Sequence, residues 1–195
     1  MTDAAIVASD HIDHRIDDAA LVPQVEDLLS RAKWSYHDLT HLACVVGPGG
    51  FTSLRVAVAL ANALSHELGV PSCGIHLSDV YCARVQPPAE TSTSPLAHDF
   101  LWLHSTKKNE LFIRGFGAFA KKLPEPVCIT LDELHSTFMP GTGWMGELIP
   151  EHEEIVKSLN GEVLPLRSPD DVLPGFLKKQ IFKKQILQPW YGRGW

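Results

Sequence analysis

The stretch of sequence that decides the fold is GPGGFTSLR, residues 47–55. It follows a short apolar run, Leu42 to Val46, and leads into a long apolar segment, Phe51 to Leu68, which Gly69 closes. These patterns are typical of a buried strand stopped by glycines and of a helix that ends at a glycine. Because Val70 to Ile75 is a second short apolar run, the order strand, turn, helix, strand predicts a parallel α/β unit.

The glycine-rich loop is also a candidate anion or nucleotide site. Glycines allow a sharp turn and a close approach of the backbone to a ligand, and the helix start that follows offers unpaired N–H groups. The loop lacks the lysine of a Walker A motif, so it is not a P-loop. A tight turn without any ligand explains the same residues, and the sequence leaves both interpretations open. The candidate residues are Gly47, Pro48, Gly49, Gly50, Thr52 and Arg55.

The first half has two predicted helices, and the second of them carries more apolar surface than one burial partner covers. Residues 18–32 have the spacing of an amphipathic helix with Asp17 or Asp18 as its N-cap, and we expect Thr52 or Ser53 to cap the second helix. Apolar surface more than halfway round a helix requires two partners, of which one is the sheet. The other is a second helix of this chain or a second protein. The second stripe is formed by Val56, Leu60 and Ala63.

The second half of the chain begins after a stretch rich in Pro, Ser and Thr, residues 85–95, which predicts a linker or an exposed loop. Asp99 to His104 and Glu110 to Phe116 predict a β-hairpin. Thr130 begins the capping box of a further helix. Near the C-terminus lies a basic and apolar patch, Phe176 to Leu187, for which we also expect a helix.

Composition narrows the class of protein. The chain has 195 residues, a formal net charge of −6 and a sequence pI near 5.9, with the apolar content of a folded globular protein. Without a basic excess, broad phosphate binding is disfavoured, so any nucleic acid has to be met through a local patch or a partner. No apolar run is long enough for a membrane span, no secretory signal is recognisable and the cysteines are widely spaced, which together predict a cytosolic protein with reduced thiols.

The histidines suggest a metal site only superficially. His37 and His41 are four residues apart, and His11 and His14 are three apart among aspartates, but neither pair has a third ligand at a recognisable zinc spacing. We interpret both pairs as solvated surface residues. The sequence contains no GxSxG elbow and no Cys/His signature, so it predicts no nucleophilic catalytic residue.

Residues 47–55 resemble the GPGSFTGLR motif of the bacterial TsaB (YeaZ) family. The likeness continues in the preceding helix, where LVPQVEDLL at residues 21–29 is similar to the family's LPxVxxLL. It extends to GTGW at residues 141–144 and to Pro189-Trp190-Tyr191 near the end, and so spans most of the chain. The motif is specific at the Gly-Pro-Gly loop, although Gly50 and Ser53 replace the family's Ser and second Gly.

The resemblance implies an α/β fold of the actin-like ATPase type (ASKHA, RNase H-like) with two small lobes, which we expect at residues 1–85 and 96–195. Members of the family open with a strand that carries a DTS phosphate motif. Nothing in this chain matches that motif, so we expect the first lobe to lack its leading strand. Met1 to Ile16 are left to supply a hairpin, with Ala4 to Ala8 as one of its strands.

The resemblance also implies a function. TsaB proteins are non-catalytic partners of TsaD, which works with the small ATPase TsaE and transfers a threonylcarbamoyl group to the adenosine next to the anticodon of certain tRNAs. The implied partners are a TsaD-like transferase in a heterodimer and a TsaE-like ATPase, with tRNA reached indirectly through the complex. Only His76 stands where the transferase has its metal-binding HxxxH, so we expect no metal and no catalytic residue, and ATP or ADP only at the interface of the complex. The expected interface residues are Val22, Val25, Leu29, Val56, Leu60 and Ala63.

Two other functions are compatible with the same residues. One is a small nucleotide-binding enzyme of the ASKHA type that uses the loop at residues 47–55. The other is a degenerate paralogue that forms a homodimer through the same two helices and modifies nothing. Binding of ATP or ADP by the isolated chain distinguishes the first, and loss of the modified nucleoside in a knockout strain excludes the second.

Overall fold

The predicted strand–helix–strand unit is confirmed. In the computed structural model, which describes residues 5–12, 17–86 and 99–192, strand β1 (Leu42–Gly47) pairs in parallel with β2 (Ser72–His76). Helix α2 (Phe51–Leu68) connects them and ends at Gly69, whose φ of 67° is in the left-handed region that favours glycine. The predicted cap at Thr52 or Ser53 is wrong. The N-cap is Gly50, which has no side chain to donate or accept, so the first turn is left without a side-chain cap.

Helix α1 (Leu21–Ala32) lies within the predicted range, but it begins later than expected. A 3₁₀ turn at residues 18–20 precedes it, and its N-cap is Ala20, so the predicted cap at Asp17 or Asp18 is wrong. The Asp17 carboxylate instead accepts a hydrogen bond of 3.1 Å from the Ala19 N–H, which stabilises the 3₁₀ turn. No residue of α1 is fully buried, so its apolar face is incompletely covered.

The predicted N-terminal strand is not formed where the structure can be described. Residues 5–12 contain no strand, and residues 1–4 and 13–16 of the predicted hairpin lie outside the described residues. Within the described ranges, the sheet that contains β1 therefore has two strands, β1 and β2.

The helix predicted for residues 176–187 is wrong. Helix α6 (Pro169–Leu177) ends at Leu177, and the chain then makes a turn and continues in an extended form. Lys183 and Ser72 exchange main-chain hydrogen bonds of 3.1 and 2.8 Å, an antiparallel bridge. Pairing with Ser72, the first residue of β2, satisfies main-chain groups that a continued helix would have satisfied internally. The sequence pattern carries no sign of this pairing.

The chain divides into two units. Unit 1 comprises the residues up to His76 together with Pro169–Trp190, and unit 2 comprises Leu77–Ser168 with the last five residues. This division differs from the predicted lobes, because α3 (Leu77–Arg84) belongs to unit 2 and α6 to unit 1. Most of the predicted linker, residues 87–95, lies outside the described residues.

The remaining elements all belong to unit 2 and are β3 (Phe100–Lys107), β4 (Glu110–Phe116), β5 (Val127–Thr130), α4 (Leu131–Thr137), β6 (Gly143–Glu147), α5 (Pro150–Ser158) and β7 (Glu162–Val163). The five strands form one sheet in the order β5-β4-β3-β6-β7. The predicted hairpin is confirmed as the antiparallel pair of β3 and β4, and β6 joins the other edge of β3 in parallel. The capping box is confirmed as well, because Thr130 Oγ1 accepts from the Glu133 N–H while the Glu133 carboxylate accepts from the Thr130 N–H at 2.7 Å.

The core of unit 2 lies on one face of this sheet, beneath α4 and α5. Alternate residues of β3 and β4 point to that face, as the two-residue period of a strand requires. The core residues are Leu101, Leu103, Leu111, Ile113, Leu134, Phe138, Trp144 and Val156.

None of the helices in the described ranges combines the length and the apolar composition that a membrane span requires.

Candidate functional site

The Gly-Pro-Gly loop of unit 1 is held in place by Trp190. The Trp190 main-chain N–H donates a hydrogen bond of 2.7 Å to the Val46 carbonyl, at the end of β1. Gly47 has a φ of 148° and is followed by a cis peptide bond to Pro48. A Cβ at residue 47 would overlap the Trp190 carbonyl, so this position requires glycine on two counts.

His76, at the end of β2, contacts the same tryptophan. The two ring centroids are 4.6 Å apart with an interplanar angle of 76°, an edge-to-face contact. The ends of β1 and β2 and the C-terminal segment thus form one cluster next to the loop. The sequence pointed to Trp190 only through the family's closing motif.

The predicted anion site at the loop is divided between buried and exposed residues. Gly47 and Pro48 are buried, whereas Gly50, Thr52 and Arg55 are exposed at the first turn of α2. Because Gly50 provides no side-chain cap, this turn directs main-chain N–H groups outward and has a positive partial charge. The Arg55 guanidinium lies over the Phe51 ring, 4.0 Å from its centroid, so one cation is placed beside those donors. Phe51 was not among the predicted site residues.

An open apolar groove runs between α1, β1, α2 and α6 of unit 1, and we call it the apolar groove. Its volume is about 1160 Å³, and its walls are mainly aliphatic side chains. Three of the residues predicted for a partner interface line it, Val25 and Leu29 from α1 and Leu60 from α2. The other lining residues of the two helices are Leu21, Leu28, Ala32, Ala57, Ala61 and Leu64.

The other three predicted interface residues lie elsewhere on the same helices. Val22 is 43% exposed and Ala63 is exposed, while Val56 is partly buried, and none of them lines the apolar groove. The structure therefore brings together half of the predicted interface set. Leu54 and Val58 of α2 are buried, so the helix has one buried stripe and one that faces the open groove.

The histidine pairs do not form a metal site in the described parts of the chain. No group of three or more His, Cys, Asp or Glu side chains is close enough there to hold an ion. The His41 ring contacts the Phe182 ring, with centroids 5.0 Å apart, and His14 lies outside the described residues. Burial raises the pKa of the Cys44 thiol and of the Cys73 thiol, which favours the protonated, less nucleophilic form of both.

Unit 2 contains two polar clusters that the sequence pattern did not indicate. In the first, the Tyr81 hydroxyl donates to Glu147, and His104 Nδ1 is 4.0 Å from the other Glu147 carboxylate oxygen. Burial and the bond to Glu147 raise the pKa of Tyr81, and burial lowers the pKa of His104. In the second, the Arg114 guanidinium binds Asp79 at 2.6 Å. Both clusters join α3 to the sheet.

His152 of α5 is fully buried between that helix and the β3–β4 hairpin. Its Nε2 is 2.8 Å from the Lys108 carbonyl, which can only accept, so Nε2 carries the proton. In the neutral ring, Nδ1 is then the acceptor of a hydrogen bond of 2.8 Å from the Ser105 hydroxyl. Both ring nitrogens are satisfied, and the arrangement ties α5 to the β3–β4 hairpin.

Comparisons with known proteins agree on one family. The family model of TsaD, tRNA N6-adenosine threonylcarbamoyltransferase, matches residues 13–128. The chain is 35% identical over 51 residues to the tRNA threonylcarbamoyladenosine biosynthesis protein TsaB of Buchnera aphidicola, a match of 26% of this chain and 23% of that one. It is 26% identical over 161 residues to the Escherichia coli TsaB, which covers 79% of this chain and 69% of that one. The first three curated relatives are matched over only 19–26% of their own length.

A solved structure shows the same fold over almost the whole chain. It is an uncharacterized Pseudomonas aeruginosa protein with similarity to the peptidase YeaZ, with a TM-score of 0.63 and 17% identity over 92% of this chain and 85% of that one. The predicted actin-like α/β fold is thereby confirmed. Since the family model matches more than half of the 195 residues, the chain belongs to the TsaD family, whose model is described as tRNA N6-adenosine threonylcarbamoyltransferase.

Proposed function

We propose that this chain is a non-catalytic subunit of a tRNA-modifying complex and forms a heterodimer with a TsaD-type transferase. The complex would attach a threonylcarbamoyl group to the adenosine next to the anticodon. The names of the relatives support this proposal, because the two TsaB proteins are biosynthesis proteins of threonylcarbamoyladenosine in tRNA.

The observation that carries the proposal is the apolar groove with its open helices. Helix α1 has no fully buried residue, although one of its faces carries Val25, Leu28 and Leu29. Contiguous apolar surface of this kind on a folded protein marks an interaction site. A pair of helices that presents aliphatic side chains fits the helices of a partner, which would bury the face that this chain leaves open.

The charge of the chain is compatible with this role. A subunit with a net charge of −6 has no excess of basic residues for general RNA binding, so the transferase would hold most of the tRNA. A TsaE-type ATPase would act on the assembled complex in the cytoplasm.

The loop at residues 47–55 would contribute to nucleotide binding in the complex. Its uncapped helix start and the Arg55 guanidinium supply the main-chain donors and the cation that a phosphate requires. We place ATP or ADP here only as a ligand of the complex, at its interface.

Size-exclusion chromatography with the cognate transferase tests the heterodimer. We expect the two proteins to co-elute, and we expect the L29D/L60D variant to elute apart from the transferase because it places two carboxylates in the groove. The matched control is V163D, which changes an exposed valine of unit 2 (64% exposed) and should co-elute like the wild type.

Two results would contradict the proposal. One is separate elution of the wild-type chain and the transferase at micromolar concentration. The other is a homodimer of this chain that persists with the transferase present, combined with unchanged threonylcarbamoyladenosine in tRNA hydrolysates of a knockout strain. That combination would favour the degenerate paralogue.

A further inference from the structure

Four lysines are concentrated in the segment that follows α6. The tetrapeptide KKQI occurs twice there, at residues 178–181 and 183–186, and we call residues 178–186 the lysine segment. Lys178, Lys179, Lys183 and Lys184 are all exposed. An acidic chain thus presents a dense group of positive charge within seven residues of sequence.

The positive charge of the lysine segment is not neutralised within the described residues. No carboxylate lies within 4.0 Å of any of the four ammonium groups there, whereas other lysines such as Lys107 and Lys157 have glutamate partners. The 24 residues from Val172 to Trp195 contain five of the 17 basic residues and no acidic one. This separation of charge leaves a local electropositive surface on unit 1.

The second half of the lysine segment is fastened to β2 by hydrogen bonds. Main-chain hydrogen bonds join Lys183 to Ser72, and the Gln185 side chain donates to the Ser72 carbonyl at 3.2 Å. Just beyond the segment, the Asn62 side chain makes two hydrogen bonds to the main chain of Leu187. The main chain that carries Lys183 and Lys184 is therefore anchored, while the side chains of all four lysines are exposed. A ligand would not have to order this backbone on binding.

We propose that the lysine segment binds the phosphate backbone of RNA and gives this chain a direct contact with tRNA. The inference rests on the proposed function, in which tRNA is the substrate of the complex. Unpaired, exposed ammonium groups are point charges suited to phosphates, and binding releases the counterions of the RNA. The acidic remainder of the chain would repel RNA, so the contact is confined to this one surface.

RNA fits the lysine segment better than a lipid surface does. Segments that lie in a membrane interface are amphipathic helices with one continuous apolar face. Residues 178–186 are not helical, and their exposed isoleucines, Ile181 and Ile186, lie on either side of the Lys183 bridge to β2 in the sequence. A third possible partner is an acidic protein, which would bury these isoleucines as apolar anchors. Contacts with a phosphate backbone do not require the isoleucines.

Fluorescence anisotropy with end-labelled tRNA tests the proposal, using the full chain alone and in complex with the transferase. If all four lysines contact phosphates, the slope of log K against log salt contains a contribution of about −3 from this surface. We expect K183Q/K184Q to weaken binding several-fold at low salt and to reduce the slope by roughly 1.5. K183R/K184R should restore both quantities, since it keeps the charge.

Two control variants make the test specific. K121Q/K122Q removes an exposed lysine pair of unit 2 and should leave tRNA binding unchanged. I181S/I186S should also bind tRNA like the wild type. The exposed side chains tolerate these changes, and thermal unfolding of each variant verifies the fold.

Three results would overturn the proposal: wild-type affinity of K183Q/K184Q, an equal loss in K121Q/K122Q, or binding to phosphatidylserine vesicles that exceeds tRNA binding and depends on the isoleucines. Failure here is distinguishable from failure of the proposed function. A chain that co-elutes with the transferase but binds tRNA independently of these lysines refutes only this inference. A chain that binds tRNA through them but never co-elutes refutes only the heterodimer.

Discussion

Asn62 and Leu187 are joined by a pair of hydrogen bonds that imitates one rung of a β-ladder. Asn62 Nδ2 donates to the Leu187 carbonyl at 3.0 Å, and the Leu187 N–H donates to Asn62 Oδ1 at 2.8 Å. The two residues are 125 positions apart in the sequence, and Leu187 is buried. A single amide in α2 therefore fastens the C-terminal segment to unit 1.

Replacing this amide should destabilise unit 1. In N62A, two partly buried main-chain groups of Leu187 lose their partners, and we expect the free energy of unfolding to fall by about 1–3 kcal/mol. Urea denaturation measures the change. N109A, in the exposed turn between β3 and β4, is the matched control and should stay within about 0.5 kcal/mol of the wild type. Equal stability of the two variants would contradict the role of Asn62.

Two glycines of the Gly-Pro-Gly loop, Gly47 and Gly49, provide a second test of stability. G47A combines a positive φ with an overlap on the Trp190 carbonyl, so we expect a loss of at least about 2 kcal/mol in the free energy of unfolding. G49A is the matched control, because a Cβ there meets nothing within 4 Å. If G47A and G49A unfold at the same urea concentration, the close approach of Trp190 is refuted.

The burial of His104 makes stability depend on pH. Burial lowers the pKa of His104 in the folded state, while the unfolded chain titrates near the ordinary value of 6.5. Below that pH the unfolded state binds a proton that the folded state does not, so stability should fall as pH drops from about 6.5 toward the lowered pKa. Chemical denaturation between pH 5 and 8 should show that the free energy of unfolding depends less steeply on pH in H104Q than in the wild type. H66Q, at an exposed histidine, should keep the wild-type slope.

Nucleotide binding at the loop depends on Arg55. If the loop binds a phosphate in the complex, R55Q should weaken the binding of ATP or ADP about tenfold or more, because a charge-assisted hydrogen bond contributes about 1.5–3 kcal/mol. Isothermal titration calorimetry of the complex and of the isolated chain measures this. Tight binding by the isolated chain would favour the nucleotide-binding enzyme over the partner subunit, and equal affinity of R55Q would remove the loop from the site.

Much of the fold follows from local patterns. The strand–helix–strand unit was predictable from an apolar run, a glycine stop and a helix with a glycine end, all within residues 42–76. The hairpin of β3 and β4 and the capping box at Thr130 were predictable for the same reason. Each of these signals depends on residues that are neighbours in the sequence.

The candidate site was only half predictable. The aliphatic spacing on α1 and α2 identified Val25, Leu29 and Leu60, but a helix period cannot tell which part of a wide apolar surface faces a groove. Trp190 and Asn62 were missed as structural partners, since their contacts lie far away along the chain. The cap of α2 was misplaced because Gly50 is itself the N-cap and leaves the helix start open.

The sequence by itself determined the parallel unit, its Gly-Pro-Gly loop, the family and the acidic balance of the chain. Only the tertiary structure decided that residues 178–187 form a turn and a bridge to β2 instead of a helix, and that the loop is closed by Trp190. The physical reason is that helix propensity and amphipathic spacing are local quantities. Long-range main-chain pairing of Lys183 with Ser72, together with the Asn62 amide, outweighed them and exposed the lysines on a fixed backbone.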